Sequence, residues 1–471
     1  MAQYTDFTHK LNSSYENFRE ESLNKRRFKH SDIKPLIDKL NNNKIFTVKQ
    51  LGVSVQKREI YLISIGRGDT RVFLWSQMHG DESTATMALF DIFNFFSREN
   101  PFEDFKDEIL KKLTIYFIPM VNPDGAEVFE RRNSYQVDLN RDAERLQTPE
   151  AKILKDTFDS IKADFGFNLH DQSIYYSAGK SFKSAAISFL APATSFDKSV
   201  NPVRYKSMQL VGQLDRVLED FIPGHIGKYS DDFEPRAFGD NFQRCGTSTV
   251  LIETGGWKGD GEKQFLRKLN FIILVTSFKS IADKDYKNES IYDYENIPLN
   301  EKDNLMDMVL RNLNYKVDDI ILTIDIGINR TEFNKDLSRG FYSIGRVADI
   351  GDLSVYSGYE DYDLKGMEIV KGKTFKKKIS SQAELNNLNF IELLSRGYTN
   401  VVTDYPVKEK FSGCPLNFVL SEEQESTVIK VDDPANFYIS KNGKVMYVVI
   451  NGFMVEIANP HLENINGEVI H

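Results

Sequence analysis

The run from position 44 to position 123 constrains the fold most, because its hydrophobic period switches repeatedly between that of a strand and that of a helix. "IFTVKQLGVSVQKREIYLISIG" predicts two strands, 45–51 and 59–65, joined by a polar turn holding Lys57 and Arg58. "RVFLWSQM", 71–78, is a short continuous apolar run of the kind that fits a buried strand. "STATMALFDIFNFF", 83–96, places its apolar residues at helical spacing. "LTIYFIPMVNP", 113–123, returns to a buried strand and is stopped by Asn-Pro-Asp-Gly, a strong turn signal. Further strands are expected at 165–169 and 249–253, with helices at 149–161 and 202–218. Strands separated by helices imply an α/β fold with a mixed, mostly parallel central sheet flanked by helices.

The pattern changes after position 283. "DKDYKNESIYDYENIPLNEKDN", 283–304, is polar and acidic and reads as a connecting stretch. Beyond it come short segments with Gly and Asp turns, closing with two alternating runs around Asn442-Gly443, a hairpin signature. These features predict a catalytic-sized domain over 1–310 and a smaller β-rich domain over 311–471, by default a sandwich or barrel. "GRVADIGDLS" and the closing hairpin also bear a faint likeness to the small β-domain that flanks metal-dependent amidohydrolases. A chain of 471 residues is long enough for two such cores.

Charge narrows the partners. A net charge of −9 lacks the basic surface that phosphate neutralisation requires, so no nucleic-acid partner is expected. The two cysteines, Cys245 and Cys414, are too few and too far apart for a disulfide scaffold or a thiolate zinc site. No apolar run reaches the ~18 residues of a membrane span. The N-terminal stretch shows no basic-apolar-small leader pattern, so a cytoplasmic location without a membrane partner is the expectation.

Chemistry concentrates at the ends of the predicted strands. In "WSQMHGDESTATM", His79 and Glu82 stand three residues apart where a strand gives way to a helix. Alone, the pair is a weak sign of metal ligands and reads first as a helix start whose glutamate suits the macrodipole. His is scarce, with seven in the chain, and His170 in "DFGFNLHDQS" follows another buried run. Two imidazoles and a carboxylate at one sheet edge would leave a fourth position open for water, as in catalytic zinc sites. Glu253 in "TSTVLIETGGW" ends a third run, and its carboxylate suits a general base or a structural ion pair. Between them lies "NPDGAEVFERRNSYQVDLNRDAE", whose Arg131, Arg132, Asn140 and Arg141 could bind an anion or pair with Asp138, Asp142 and Glu144.

Taken together, His79-x-x-Glu82, "NPDG", Arg131, "DLNR", "LHDQ" and "IETGG" resemble the zinc carboxypeptidase family in order and spacing, over roughly 45–281. The resemblance implies Zn²⁺ held by His79, Glu82 and His170, and Glu253 as the base that activates water. It implies Arg131 as the arginine that polarises the scissile carbonyl, with Arg132 as its competitor. Asn140 and Arg141 then hold the substrate's terminal carboxylate, and Asp138 orients His79. Tyr229 is the nearest candidate for the family's substrate-capping tyrosine, and the residue that sets side-chain preference should lie within 238–240.

The sequence also departs from that pattern. Asp81 stands where the pancreatic members carry a guiding arginine, and Asp171-Gln172 replaces their Ser-Tyr. Pancreatic-type specificity is therefore not implied. Arg236 is expected to pair with Asp231, Asp232 or Glu234, and His225 to play no necessary part as a fourth ligand. His9, His30, His461 and His471 lie outside the motif order and read as structural or exposed. The expected function is removal of C-terminal residues from peptides. The alternatives are a zinc amidohydrolase acting on N-acyl amino acids or cell-wall peptides, and an inactive peptide-binding protein. The second domain is expected to shape substrate access or to mediate homo-oligomer formation.

Overall fold

The computed structural model describes residues 2–302, 304–335, 340–404, 410–420, 428–463 and 465–470. His471 lies outside them. The chain divides into two compact units, Met1–Asp303 and Asn304–His471. A boundary at 310 would cut through a single strand, Leu305–Val317, which starts right after the charged stretch and belongs whole to the second unit.

The first unit is built on eight strands: β1 (Phe46–Val53), β2 (Glu59–Gly66), β3 (Thr70–Ser76), β4 (Leu113–Ile118), β5 (Phe165–Asp171), β7 (Ile187–Leu190), β8 (Ile226–Lys228) and β9 (Ser248–Thr254). A two-residue strand, β6 (Ser177–Ala178), stands outside this sheet. The spatial order is β1-β2-β4-β3-β5-β9-β7-β8. The centre, β4-β3-β5-β9, is parallel. The β1–β2, β2–β4 and β7–β9 pairs are antiparallel. The sheet is therefore mixed with a parallel core, as the alternating periodicity implies.

Pleating sorts the side chains between two layers. On β3, Val72 and Leu74 join the larger core, whereas Phe73 and Trp75 join the smaller one on the opposite face. The larger core is filled by α2 (His30–Asn41), α3 (Thr84–Ser97), α7 (Pro202–Glu219) and α9 (Gln264–Asp283). The smaller core is covered by α6 (Pro149–Ile161) and α8 (Phe238–Arg244). Helix α6 starts where the sequence dictates: Pro149 occupies the first turn and the Thr148 hydroxyl accepts from the Ala151 N–H at 3.3 Å. An N-cap of this kind is typically worth ~1 kcal/mol.

Two sequence expectations change. The acidic stretch 283–304 is not a free connector. It holds a short helix, Ile291–Glu295, and a strand, Asn300–Glu301, that pairs with β6. Tyr286, Tyr294 and Ile297 from this stretch are buried in the larger core. The Asn-Pro-Asp-Gly turn is the start of a short helix, Pro123–Val128, capped by the Asn122 side chain, which accepts from Gly125 N–H at 2.9 Å.

The second unit contains a β-sheet whose path runs through Phe341–Gly351, Ile320–Asn334, Leu305–Val317, Glu368–Lys371, Phe437–Lys441, Lys444–Ile450 and Phe453–Glu456. Asn442 and Gly443, both at positive φ, close its last predicted hairpin. A second sheet, Lys373–Ile379, Tyr398–Thr403, Asn417–Val419 and Val469–Ile470, is all parallel. Short helices, Gln382–Asn386 and Phe390–Ser395, lie between its first two strands. A plain antiparallel sandwich or barrel does not contain such a layer. Cys414 is buried in this unit, whereas Cys245 of the first unit is exposed.

Candidate active site

Three strand ends and one loop bring the site together. After β3 the backbone turns through Gln77 at φ +50°, and the Gln77 amide donates to the Gly80 carbonyl at 2.9 Å. Gly80 is required there, because a Cβ would lie 2.0 Å from the Gly125 carbonyl carbon. This close approach sets His79 against the top of the sheet. Glu82 follows just before α3.

On β5, Phe165, Phe167 and Leu169 point into the larger core, so His170 belongs to the opposite face. On β9, Val250 and Ile252 do the same, which places Glu253 on the face of His170. The two are register partners. Alternation along two parallel strands is thus what puts an imidazole and a carboxylate side by side.

His79, Glu82 and His170 converge. Nδ1 of His79 lies 2.7 Å from Glu82 Oε1, and Nδ1 of His170 lies 2.6 Å from Glu82 Oε2. The three donor atoms fall within 4.8 Å of one another, and all three residues are buried. Two imidazoles and a carboxylate form a donor set suited to zinc. His79 Nε2 lies 3.0 Å from Asp138 Oδ1, the carboxylate–histidine contact that fixes a ligand's ring and tautomer. The residues therefore fit a metal ion.

Electrostatics are extreme for so small a volume. Burial alone would lower the pKa of His79, but the Glu82 charge and hydrogen bonds with Asp138 and Glu82 push it up to about 9. Burial, followed by the charges of Glu82 and Asp171, lifts the Glu253 carboxyl well above the usual range. Asp81 is pushed up to about 6 by burial and by the Glu82 charge, and its Oδ1 has no partner.

Arg131 reaches the cluster. Its Nη1 donates to Glu82 Oε1 at 3.1 Å, and its Nε and Nη2 donate to Asp138 Oδ2. Arg132 does not: it is exposed and its Nη1 donates to the Gln136 carbonyl at 2.8 Å. The "DLNR" segment forms a single turn of 3₁₀ helix because the Asp138 carboxylate accepts from the Asn140 N–H. Asn140 in turn accepts from Phe238 N–H at the start of α8 at 2.9 Å. Arg141 remains half exposed, with Nε 3.8 Å from Glu234.

Tyr229, just past β8, is packed edge-on against Tyr176 at 5.7 Å and feels the Glu253 charge. Arg236 pairs with Glu234 through Nε and Nη2. The Nδ1 of His225 sits 2.9 Å from the Ser184 carbonyl, and its ring stands edge-on to Trp257. His30 lies 3.0 Å from the Glu59 carbonyl and His9 stacks near Phe221.

Three neighbours carry no signal of their own in the sequence. Thr84 donates to Asp171 at 2.7 Å, Tyr176 partners Tyr229, and Lys263 reaches Asp171 from the end of the Gly-rich "TGGWKGDGEK". A lysine in such a loop reads as a solvated charge.

Residues 33–186 match the family model described as zinc carboxypeptidase. That segment holds His79, Glu82, Arg131, Asn140, Arg141 and His170, and Glu253 lies beyond it. A curated protein called "Probable carboxypeptidase 2", from Arthroderma benhamiae, is 24% identical over 112 residues, which is 24% of this chain and 20% of that one. The aligned part thus spans about a fifth of the relative's length. A metallo-carboxypeptidase from Burkholderia cenocepacia has 16% identity and a TM-score of 0.44, covering 55% of this chain and 70% of that one. One from Pseudomonas aeruginosa has 17% identity and a TM-score of 0.43, covering 54% and 69%.

Proposed function

We propose that this chain, whose residues 33–186 match the zinc carboxypeptidase family model, is a zinc-dependent hydrolase that removes C-terminal residues from peptides. The observation that carries this reading is the convergence of His79, Glu82 and His170 within 4.8 Å, with Glu253 paired to His170 across the strands. Bound zinc supplies a Lewis acid that lowers the pKa of a water to about 7 and polarises a carbonyl.

The chain's own residues do the rest. Glu253 is positioned to take the water's proton on its carboxylate as the oxygen attacks the scissile carbonyl carbon. Burial and the neighbouring carboxylates raise its proton affinity, which favours proton uptake from the water. The Arg131 guanidinium faces the place where negative charge develops on the carbonyl oxygen, and one such donor is typically worth about 3 kcal/mol. Glu253 then returns the proton to the leaving amine nitrogen as the C–N bond breaks. The half-exposed Arg141, beside Asn140, anchors the terminal carboxylate, which restricts cleavage to the last residue. Tyr229 closes over the bound substrate from the side of Tyr176.

An amidohydrolase acting on N-acyl amino acids would use the same groups, because its product also carries a free carboxylate for Arg141. It is the second reading, because Asp81, whose buried Oδ1 has no partner, stands where the pancreatic members carry a guiding arginine. Zinc-loaded protein offered one peptide as free acid and as C-terminal amide, beside a set of N-acyl amino acids, tests both. Release of a single residue from the free acid alone is the expected result. Hydrolysis confined to the acyl amino acids selects the second reading, and hydrolysis of neither contradicts both.

Among the described residues, no helix is long and apolar enough to cross a membrane. We further propose a cytoplasmic location and assign to the second unit, Asn304–His471, a part in substrate access or self-association.

A further inference from the structure

A buried ammonium lies behind the proposed base. Lys263 precedes α9 and adopts a left-handed backbone, φ +53° and ψ +32°, that residues with a Cβ disfavour. The surrounding loop enforces it. Lys263 N–H donates to the Asp260 carbonyl, while the Asp260 carboxylate accepts from the N–H groups of Gln264 and Leu266. As a result the Lys263 side chain runs inward and is 90% buried.

Its Nζ has two partners at the ends of adjacent strands. It donates to the Thr254 carbonyl at 3.0 Å, one residue after Glu253. It also lies 3.3 Å from Asp171 Oδ2, one residue after His170. Thr254 is held again by Gln172 N–H on its carbonyl and by Asn270 on its hydroxyl. Asp171 is held by Thr84, and its own N–H donates to Glu82 Oε2 at 3.2 Å. Lys263 thus holds the residues that directly follow His170 and Glu253, and Glu82 lies one hydrogen bond further on, through the Asp171 N–H. A buried charge is costly to desolvate unless it is paired and hydrogen-bonded, and here Lys263 has both kinds of partner.

We propose that Lys263 is a positioning residue: by bridging Thr254 and Asp171 it locks β9 to β5 and so sets the separation of Glu253 from the His170 ligand. This rests on the proposed hydrolase reading. It also gives a use to Asp171, which otherwise stands only as a departure from the family's pattern.

Steady-state kinetics of the zinc-loaded full chain test it with K263M and K263R. Supporting residues of this kind typically cost 10–100-fold when lost. K263M is expected to lower kcat about 10–100-fold with KM within about twofold, and K263R to recover most of kcat. Cobalt-substituted protein provides a readout independent of turnover: the visible bands of K263M shift, because His170 adjoins Asp171, and K263R restores them. A folded K263M with kcat within about twofold of the wild type and unshifted bands overturns the proposal, as does a loss confined to thermal stability. Should K263M not fold, D171N tests the bridge from its other end with the same two outcomes. A wild-type chain that hydrolyses nothing counts against the proposed function, and the cobalt bands then decide the role of Lys263 alone.

Discussion

His170 and Glu253 occupy paired positions at the carboxyl ends of two adjacent parallel strands, β5 and β9, on the same face of the sheet. One supplies an imidazole to the His79–Glu82 pair and the other a desolvated carboxylate beside it. Ligands of open α/β sheets bind at this edge. The two proposed roles, metal ligand for His170 and base for Glu253, are distinguishable by mutation.

Glu253→Gln keeps the size of the side chain and removes the proton acceptor. Turnover should fall by at least ~10²–10⁴-fold, the usual worth of a general base. Zinc content per chain should stay unchanged, as measured by elemental analysis. Loss of zinc with loss of turnover would make Glu253 a ligand instead.

Asp138→Asn tests the contact with His79 Nε2. An outer-sphere carboxylate of this kind typically supports 10–100-fold in metal affinity or activity. Competition with a chromogenic chelator should show zinc affinity weakened by about that factor. An unchanged affinity would mean that Asp138 serves Arg131 alone.

Arg131 and Arg141 should separate in kinetics. Arg131→Ala should lower kcat by about 10²–10³-fold, as loss of one donor to a developing oxyanion does. Arg141→Ala should mainly raise KM for substrates with a free carboxylate. Equal effects of both variants on KM would argue that neither faces the scissile carbonyl.

The strand-end histidines and Glu253 were legible in the sequence because each closes a continuous apolar run, and such runs mark buried strands whatever their neighbours. Strand alternation then sets His170 beside Glu253, whereas His79 is brought in by the turn at Gln77 and Gly80. Lys263 was not legible, since "GGWKGDGEK" reads as an exposed glycine-rich loop and only the inward turn at Asp260 buries its lysine. Stretch 283–304 misled for the opposite reason. Its apolar residues Tyr286, Tyr294 and Ile297 are isolated among charges, so no periodicity announces that they fill the core. Arg131 and Arg132 are adjacent and chemically identical, and only the hydrogen bonds to Glu82 and Asp138 tell them apart.

Stability should depend on pH through Asp215 on α7. Burial, then the charges of Glu219 and Asp293, raise its carboxyl from 3.8 to about 7. The folded chain thus binds more protons than the unfolded chain between these values, so this contribution falls as pH rises and the full penalty stands above 7. Asp215→Asn should stabilise the protein by on the order of 1 kcal/mol at pH 8, allowing for partial exposure, and leave it unchanged near pH 4. Thermal melts at the two pH values check this. An equal gain at both would assign the effect to packing.

Arg267 on α9 is fully buried; its Nε donates to Asp91 at 2.7 Å, its Nη1 to the Leu23 carbonyl and its Nη2 to the Glu20 carbonyl. Arg267→Met leaves Asp91 charged and uncompensated in the core. The expected cost is about 3–5 kcal/mol in urea unfolding. A cost below ~1 kcal/mol would contradict a buried pair.

Metal dependence tests the central claim most directly. Chelator-stripped protein titrated with zinc, while release of the C-terminal amino acid from a free-acid peptide is followed, should regain activity in proportion to zinc and level off at one ion per chain. The same titration of His79→Ala and His170→Ala should give no activity at that stoichiometry. Hydrolysis by the metal-free protein, or full zinc-dependent activity in either histidine variant, would contradict the account.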